Sequence, residues 1–183
     1  MRRRSRRPPP GPRPSIAEPR PHLLKAVLAF VRAARTCPGV RRIALVGSLT
    51  TEKAVPKDAD VLVTVDGLDD LGPLARFGRR LQGETQHINL GADIFLADAE
   101  GRYVGRICHY RECFPGVLCR ALHCGQRQHL KDDLQIVTLA AELIVAPPVE
   151  LWPKIVRRVR VPADVEEELL AALAGDDAGS RAP

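Results

Sequence analysis

Apolar residues recur at helical spacing from about His22 to Thr36, where Leu24, Val27, Leu28 and Val31 form one stripe, and the pattern breaks at Cys37-Pro38-Gly39. This predicts an amphipathic helix. Arg42-Ile43-Ala44-Leu45-Val46 follows as a short apolar run ending in Gly47-Ser48, as expected of a buried strand that delivers a small-residue turn to one edge of a sheet. Leu49 to Lys57 is polar and contains Pro56, so it reads as a loop. The β-branched run Asp60-Val61-Leu62-Val63-Thr64-Val65 closes on the turn pair Asp66-Gly67 and predicts a second strand. Asp69 to Leu81 places Leu71, Leu74, Phe77 and Leu81 on a helical stripe, and Gly91 to Ala97 returns to strand. Glu100-Gly101 marks a hairpin turn into an extended run from Arg102 to Cys108. Beyond the cysteine-rich stretch 108–124, the spacing predicts helices over Lys131–Val145, Leu151–Val159 and Ala163–Ala174, the last opening on Pro162 with acids in its first turn. The order strand, strand, helix, strand, followed by helices, predicts an α/β (α+β) fold: a small mixed sheet flanked by helices, with further helices at the C-terminal end.

A chain of 183 residues is long enough for one domain with a real core and too short for two comfortable ones. The reading divides it into a basic, Pro/Arg-rich disordered tail (1–20), a core with a cysteine-rich hairpin region (21–125), a C-terminal helical region (126–174) and a second disordered tail (175–183). Charge sharpens the first boundary. Residues 1–20 hold seven arginines against the single acid Glu18, which accounts for the whole formal charge of +6, so the remainder is neutral. A nucleic-acid claim then rests on Arg2, Arg3, Arg4, Arg6, Arg7 and Arg13 and not on a basic folded face. Ser5-Arg6-Arg7 ahead of Leu23–Ala34 invites a twin-arginine export reading, but Lys25 and Arg32 interrupt the apolar stretch. No run approaches the roughly 20 apolar residues that span a bilayer. A cytoplasmic protein without membrane contact is the expectation, and five cysteines then read as reduced thiols or metal ligands and not as a disulfide framework.

The chemistry-bearing feature is Gly47-Ser48 after one strand, Asp58-x-Asp60 entering the next, and Asp93 inside a later one. Strand side chains alternate faces, so Asp58 and Asp60 point the same way, and Asp93 meets them if its strand lies beside theirs. Three converging carboxylates would raise one another's pKa unless cations neutralised them, and oxygen-only ligands suit magnesium or manganese. The glycine-serine turn would let backbone N–H groups approach phosphate oxygens. The plainer alternative is a turn acid at Asp58, a strand-edge acid at Asp60 and a paired acid at Asp93. Lys57 could supply a phosphate-binding charge or simply be solvated.

The segments ALVGSLTTEKAVPKDADVLVTV and GADIFLAD resemble the pattern of the polymerase-beta-like nucleotidyltransferase superfamily, including its small bacterial members, over about residues 40–97. The resemblance implies a fold in which Gly47 and Ser48 bind the β- and γ-phosphates of a nucleoside triphosphate such as ATP. It also implies that Asp58 and Asp60 hold two metal ions, Mg2+ or Mn2+, and that Asp93 completes the catalytic site and helps activate an acceptor hydroxyl. The implied reaction moves a nucleoside monophosphate to a protein, RNA or small-molecule acceptor, and some small members pair with a toxin. Two features depart from the family: the loop lacks a glycine after Gly-Ser, and Lys57 stands where a serine is common before the first aspartate. The competing expectation is a noncatalytic module of the same fold that binds a protein or RNA partner.

Cys108, Cys113, Cys119 and Cys124, with His109 and His123 beside the first and last, offer a structural zinc (Zn2+) site, although their gaps are wider than the usual zinc signature; buried cysteines on short strands are the plainer reading. His129, Lys131, Asp132 and Asp133 read as a polar cluster that opens and caps a helix.

Overall fold

A computed structural model describes residues 18–112 and 120–179. Helix α1 (Pro19–Ala34) starts on a proline, whose missing N–H and fixed φ suit a first turn, and buries Leu23, Leu24, Val27, Phe30, Val31 and Ala34 on one stripe. It stops at Cys37-Pro38-Gly39, where Gly39 takes φ +76° and turns the chain into β1 (Val40–Val46). A single 3-10 turn (Gly47–Thr50) leads through the loop to β2 (Asp58–Val65), and α2 (Gly72–Gln86) then crosses over to β3 (Gly91–Ala97). That helical crossover is what allows β2 and β3 to pair in parallel. The turn at Glu100-Gly101 reverses the chain into β4 (Tyr103–Ile107), with Gly101 at φ +79°.

The remaining elements are β5 (Leu130–Lys131), α3 (Ala141–Val145), β6 (Val149–Trp152), β7 (Val156–Arg157) and a π-helical segment (Val165–Leu170) that continues as α4 (Ala171–Gly179). The strands form one mixed sheet in the order β5-β4-β3-β2-β1-β6-β7, antiparallel throughout except for β2 and β3. The expected mixed α/β architecture is therefore present.

Alternation along the strands gives the sheet two unlike faces. Ile43, Leu45, Ala59, Val61, Val63, Ile94 and Leu96 pack beneath α1, α2 and the π-helical segment in the larger core. The opposite face carries a smaller apolar patch of Ala44, Val46, Leu62, Phe95 and Ala97, covered by Ile144 of α3. A five-residue helix covers only part of a face. Asp60 and Asp93 lie two residues before Leu62 and Phe95 and therefore share this second face, at its uncovered end.

Two predicted helices are corrected. Lys131–Val145 is helical only from Ala141; Lys131 belongs to edge strand β5, and Asp132 and Asp133 are buried and tied to side chains instead of capping a helix. Leu151–Val159 is the β6–β7 hairpin, because Pro153 cannot continue a helix and the edge of β1 takes β6 as its partner, with Ala44 opposite Glu150. The helix predicted over Ala163–Ala174 is present, and the Asp164 carboxylate accepts from the Val165 N–H at its start. Pro19 and Arg20, read as tail, open α1, and the C-terminal helix runs on to Gly179 inside the segment read as the second tail. Arg2, Arg3, Arg4, Arg6, Arg7 and Arg13 lie outside the described residues. No helix among the described residues is long and apolar enough to cross a membrane.

Candidate functional site

Parallel pairing of β2 with β3 sets Asp60 directly opposite Asp93 and Asp58 opposite Gly91. Antiparallel pairing of β1 with β2 sets Val46 opposite Asp60, so Gly47 emerges beside the Asp60 side chain. The three aspartates and the Gly47-Ser48 turn are thus gathered at one end of the partly covered sheet face, with Asp58 exposed and Asp60 and Asp93 half-buried. Gly47 has φ +70°, and a methyl group there would collide with the Asp60 carboxylate, lying 2.9 Å from its Cβ and Cγ. Gly91 is crowded in the same way by the Asp58 carboxylate. Asp60 and Asp58 therefore each lean over a glycine. Gly47→Ala meets both a left-handed backbone and an overlap, and is expected to cost about 2–4 kcal/mol in urea unfolding. Adding Asp60→Ala should recover the overlap part and leave the backbone part, a non-additivity that a double-mutant cycle reads directly.

Burial and the neighbouring charges of Asp58 and Asp93 push the Asp60 carboxyl up to about 6. Asp93 moves the other way. Burial alone would raise it, but the nearby His109 imidazole and the Arg106 guanidinium, which donates to it, outweigh burial and hold it below the usual carboxylate range. Arg106 is the hinge of the arrangement: one Nη donates to Asp93 Oδ1 at 3.1 Å and the other to Asp133 Oδ2 at 2.7 Å. His109 Nε2 stands 3.8 Å from the same Asp93 oxygen, and Lys131 Nζ 3.5 Å from Asp133. Arg106 Nε, Asp133 Oδ1 and the Tyr103 hydroxyl are buried without a hydrogen-bond partner among the described residues, so the network is only partly satisfied.

Sequence reading missed Arg106, His109 and Asp133 as members of this site. The available signal was a charged residue between Gly105 and Ile107 in an otherwise apolar strand, which is costly to bury without a partner.

The Gly47–Thr50 turn is pinned by its own side chains, Thr50 Oγ1 donating to the Gly47 carbonyl at 2.8 Å and Thr51 Oγ1 to that of Ser48 at 2.9 Å. Arg20 secures the loop that follows, donating to the carbonyls of Leu49, Thr51 and Lys53 while its guanidinium pairs with Asp164. One arginine at the start of α1 thus ties the phosphate-loop candidate to the C-terminal helix. Lys57 is exposed just before Asp58, and its carbonyl accepts from the Gly91 N–H at 3.0 Å.

Cys108 is buried just after β4 and Cys124 is half-buried, while Cys113 and Cys119 lie outside the described residues. The adjacent histidines face carboxylates, His109 toward Asp93 and His123 hydrogen-bonded to Asp132. Among the described residues, no three His, Cys, Asp or Glu side chains stand closely enough to hold a metal ion as placed. The three aspartates share a corner but do not form a closed ligand set as placed. Compared with protein-family models, with curated proteins and with solved structures, the chain matches none.

Proposed function

We propose that the chain is a metal-dependent nucleotidyltransferase of the polymerase-beta-like kind, acting at Asp58, Asp60 and Asp93. The observation that carries this reading is the pairing of Asp60 with Asp93 across parallel strands, with Asp58 on the same face and Gly47 packed against Asp60. The residues also suit a hard cation. All the donors are carboxylate oxygens, and the Asp60 carboxyl, pushed up to about 6 by burial first and by the charges of Asp58 and Asp93 second, is a group whose ionised form a divalent ion would favour. Asp58 and Asp60, completed by Asp93, would hold magnesium or manganese, which supplies the charge that neutralises the triphosphate and the departing pyrophosphate.

In the reaction the acceptor hydroxyl oxygen forms a bond to the α-phosphorus of the nucleoside triphosphate, the bond from that phosphorus to the bridging oxygen breaks, and pyrophosphate leaves. Asp93 would take the acceptor's proton; in support, Arg106 and His109 both address Oδ1, which would orient the carboxylate and leave Oδ2 for the substrate. Gly47 and Ser48 would approach the β- and γ-phosphates through the backbone, and Arg20 holds their loop in place.

A noncatalytic module is the second reading, favoured by the ion pair between Arg106 and Asp93, which already neutralises one of the three acids. Calorimetry separates the two. A nucleotidyltransferase is expected to bind triphosphate only with magnesium or manganese, more tightly at pH 7 than at pH 5, and to release a proton near pH 6 as Asp60 gives up its own. Binding that is absent, or indifferent to metal, would favour the noncatalytic module.

A further inference from the structure

Residues 21–183 are neutral in sum, yet their arginines are not evenly spread. Arg76, Arg79 and Arg80 occupy positions i, i+3 and i+4 of α2 and so share one face of that helix. Arg111, from the segment after β4, joins them. Together with Phe77 they line a cavity of about 620 Å³. Arg76, Arg80 and Arg111 are exposed and make no ion pair among the described residues, although Glu84 and Glu112 are close in sequence. Residues 1–17, 113–119 and 180–183 contain no Asp or Glu, so those segments bring no counter-charge either.

Arg79 is the fixed member. It donates to the Tyr110 carbonyl at 3.5 Å and to His129 Nδ1 at 3.4 Å, and since a guanidinium can only donate, His129 accepts as a neutral imidazole. Burial lowers the Arg79 guanidinium below its ordinary value, and repulsion from Arg111 and Arg76 adds to this. The carbonyl that Arg79 reaches belongs to Tyr110, the residue before Arg111, and Tyr110 is 60% exposed. An exposed aromatic ring next to a group of unneutralised guanidiniums is the combination that binds single-stranded nucleic acid, with phosphates on the cations and a base on the ring.

We infer that the α2 arginine cavity is a binding site for a single-stranded nucleic acid, with Arg76, Arg79, Arg80 and Arg111 on its phosphates and Tyr110 stacking on a base. Charge alone would suit any polyanion; the exposed Tyr110, next to Arg111 in the chain, is what favours a strand of nucleotides. The site is distinct from the aspartate cluster and stands whether or not that cluster performs chemistry. The two are close: His109, which faces Asp93, is two residues from Arg111, at most about 7 Å along the backbone.

The test is fluorescence anisotropy of a short labelled mixed-sequence RNA strand with the full chain, N-terminal arginines included, in a salt series. Arg76→Glu with Arg80→Glu, both on an exposed helix surface, is expected to weaken binding at least tenfold. It should also flatten the plot of log affinity against log salt by roughly 0.7 for each lost phosphate contact. Tyr110→Ala should weaken binding about fivefold or more with the slope unchanged, and Asp60→Asn should leave binding as it was, which separates this site from the proposed catalytic one. Thermal melts confirm that each variant is folded. Undiminished binding by the arginine variant would assign the RNA to the N-terminal arginines and overturn the proposal. So would an unchanged Tyr110→Ala variant, or competition by polyglutamate or inorganic phosphate as effective as that by unlabelled RNA, because either would leave a generic anion site.

Discussion

Arg106→Leu is expected to destabilise the fold by about 3–5 kcal/mol, the usual penalty for removing one partner of a buried ion pair. The cost does not come from the lost hydrogen bonds alone. Asp133 has a side chain only 2% exposed, and without Arg106 its charge is left to Lys131 at 3.5 Å. Asp93 loses the cation that helps hold its carboxyl down. The pH dependence has a definite sign. A carboxyl depressed in the folded state adds stability that is present above about pH 4 and lost as pH falls through the folded value, so the deficit of the variant should be full at neutral pH and shrink in acid. Adding Asp133→Leu, which replaces the pair by apolar groups, should recover a substantial part of the loss. Urea unfolding of the two variants at pH 7 and at about pH 2.5, below the ordinary carboxylate range, measures all of this; equal deficits at both values would show that Arg106 contributes packing and not charge.

Asp60→Asn is expected to have opposite effects on stability and on activity. Asp60 is raised to about 6 in the folded protein, so its carboxyl favours the native state most below about pH 4 and progressively less as pH rises through 6. Removing the charge should therefore stabilise the protein above pH 6. Discounted for its half-exposed position, the gain is about 1–2 kcal/mol at pH 8 and vanishes near pH 4. Nucleotidyl transfer, if it depends on this carboxylate, should fall by about a thousandfold or more. A group whose removal strengthens the fold and ends the reaction is one kept for chemistry, a trade common where carboxylates are crowded together.

The β1, β2 and β3 strands, the α1 and α2 helices and the shared face of Asp58 and Asp60 follow from local periodicity, whereas Asp93 joins them only because β3 pairs with β2, a condition that periodicity does not supply. The C-terminal third was less legible. Lys131–Val145 has helical composition, but Asp132 and Asp133 are drawn inward by His123 and Arg106, partners 9 and 27 residues away, which no local pattern displays. Leu151–Val159 became a hairpin because β1 had an edge to fill, a demand set by the sheet and not by the segment. Arg20 looked like the end of a basic tail and is instead the residue that fastens the Leu49–Lys53 carbonyls. Net charge misled for a related reason: a neutral sum concealed Arg76, Arg79, Arg80 and Arg111, which only the packing of α2 beside the segment after β4 brings together.

The most direct test of the proposed activity is transfer of label from each of the four α-labelled nucleoside triphosphates, with magnesium or manganese, to the protein itself, to RNA and to a cell extract, beside Asp60→Asn. Labelled product that requires the metal and disappears in the variant is expected, and its identity would reveal the acceptor class. No labelled product from any nucleotide, or product formed equally by Asp60→Asn, would contradict catalysis at the Asp58–Asp60–Asp93 cluster.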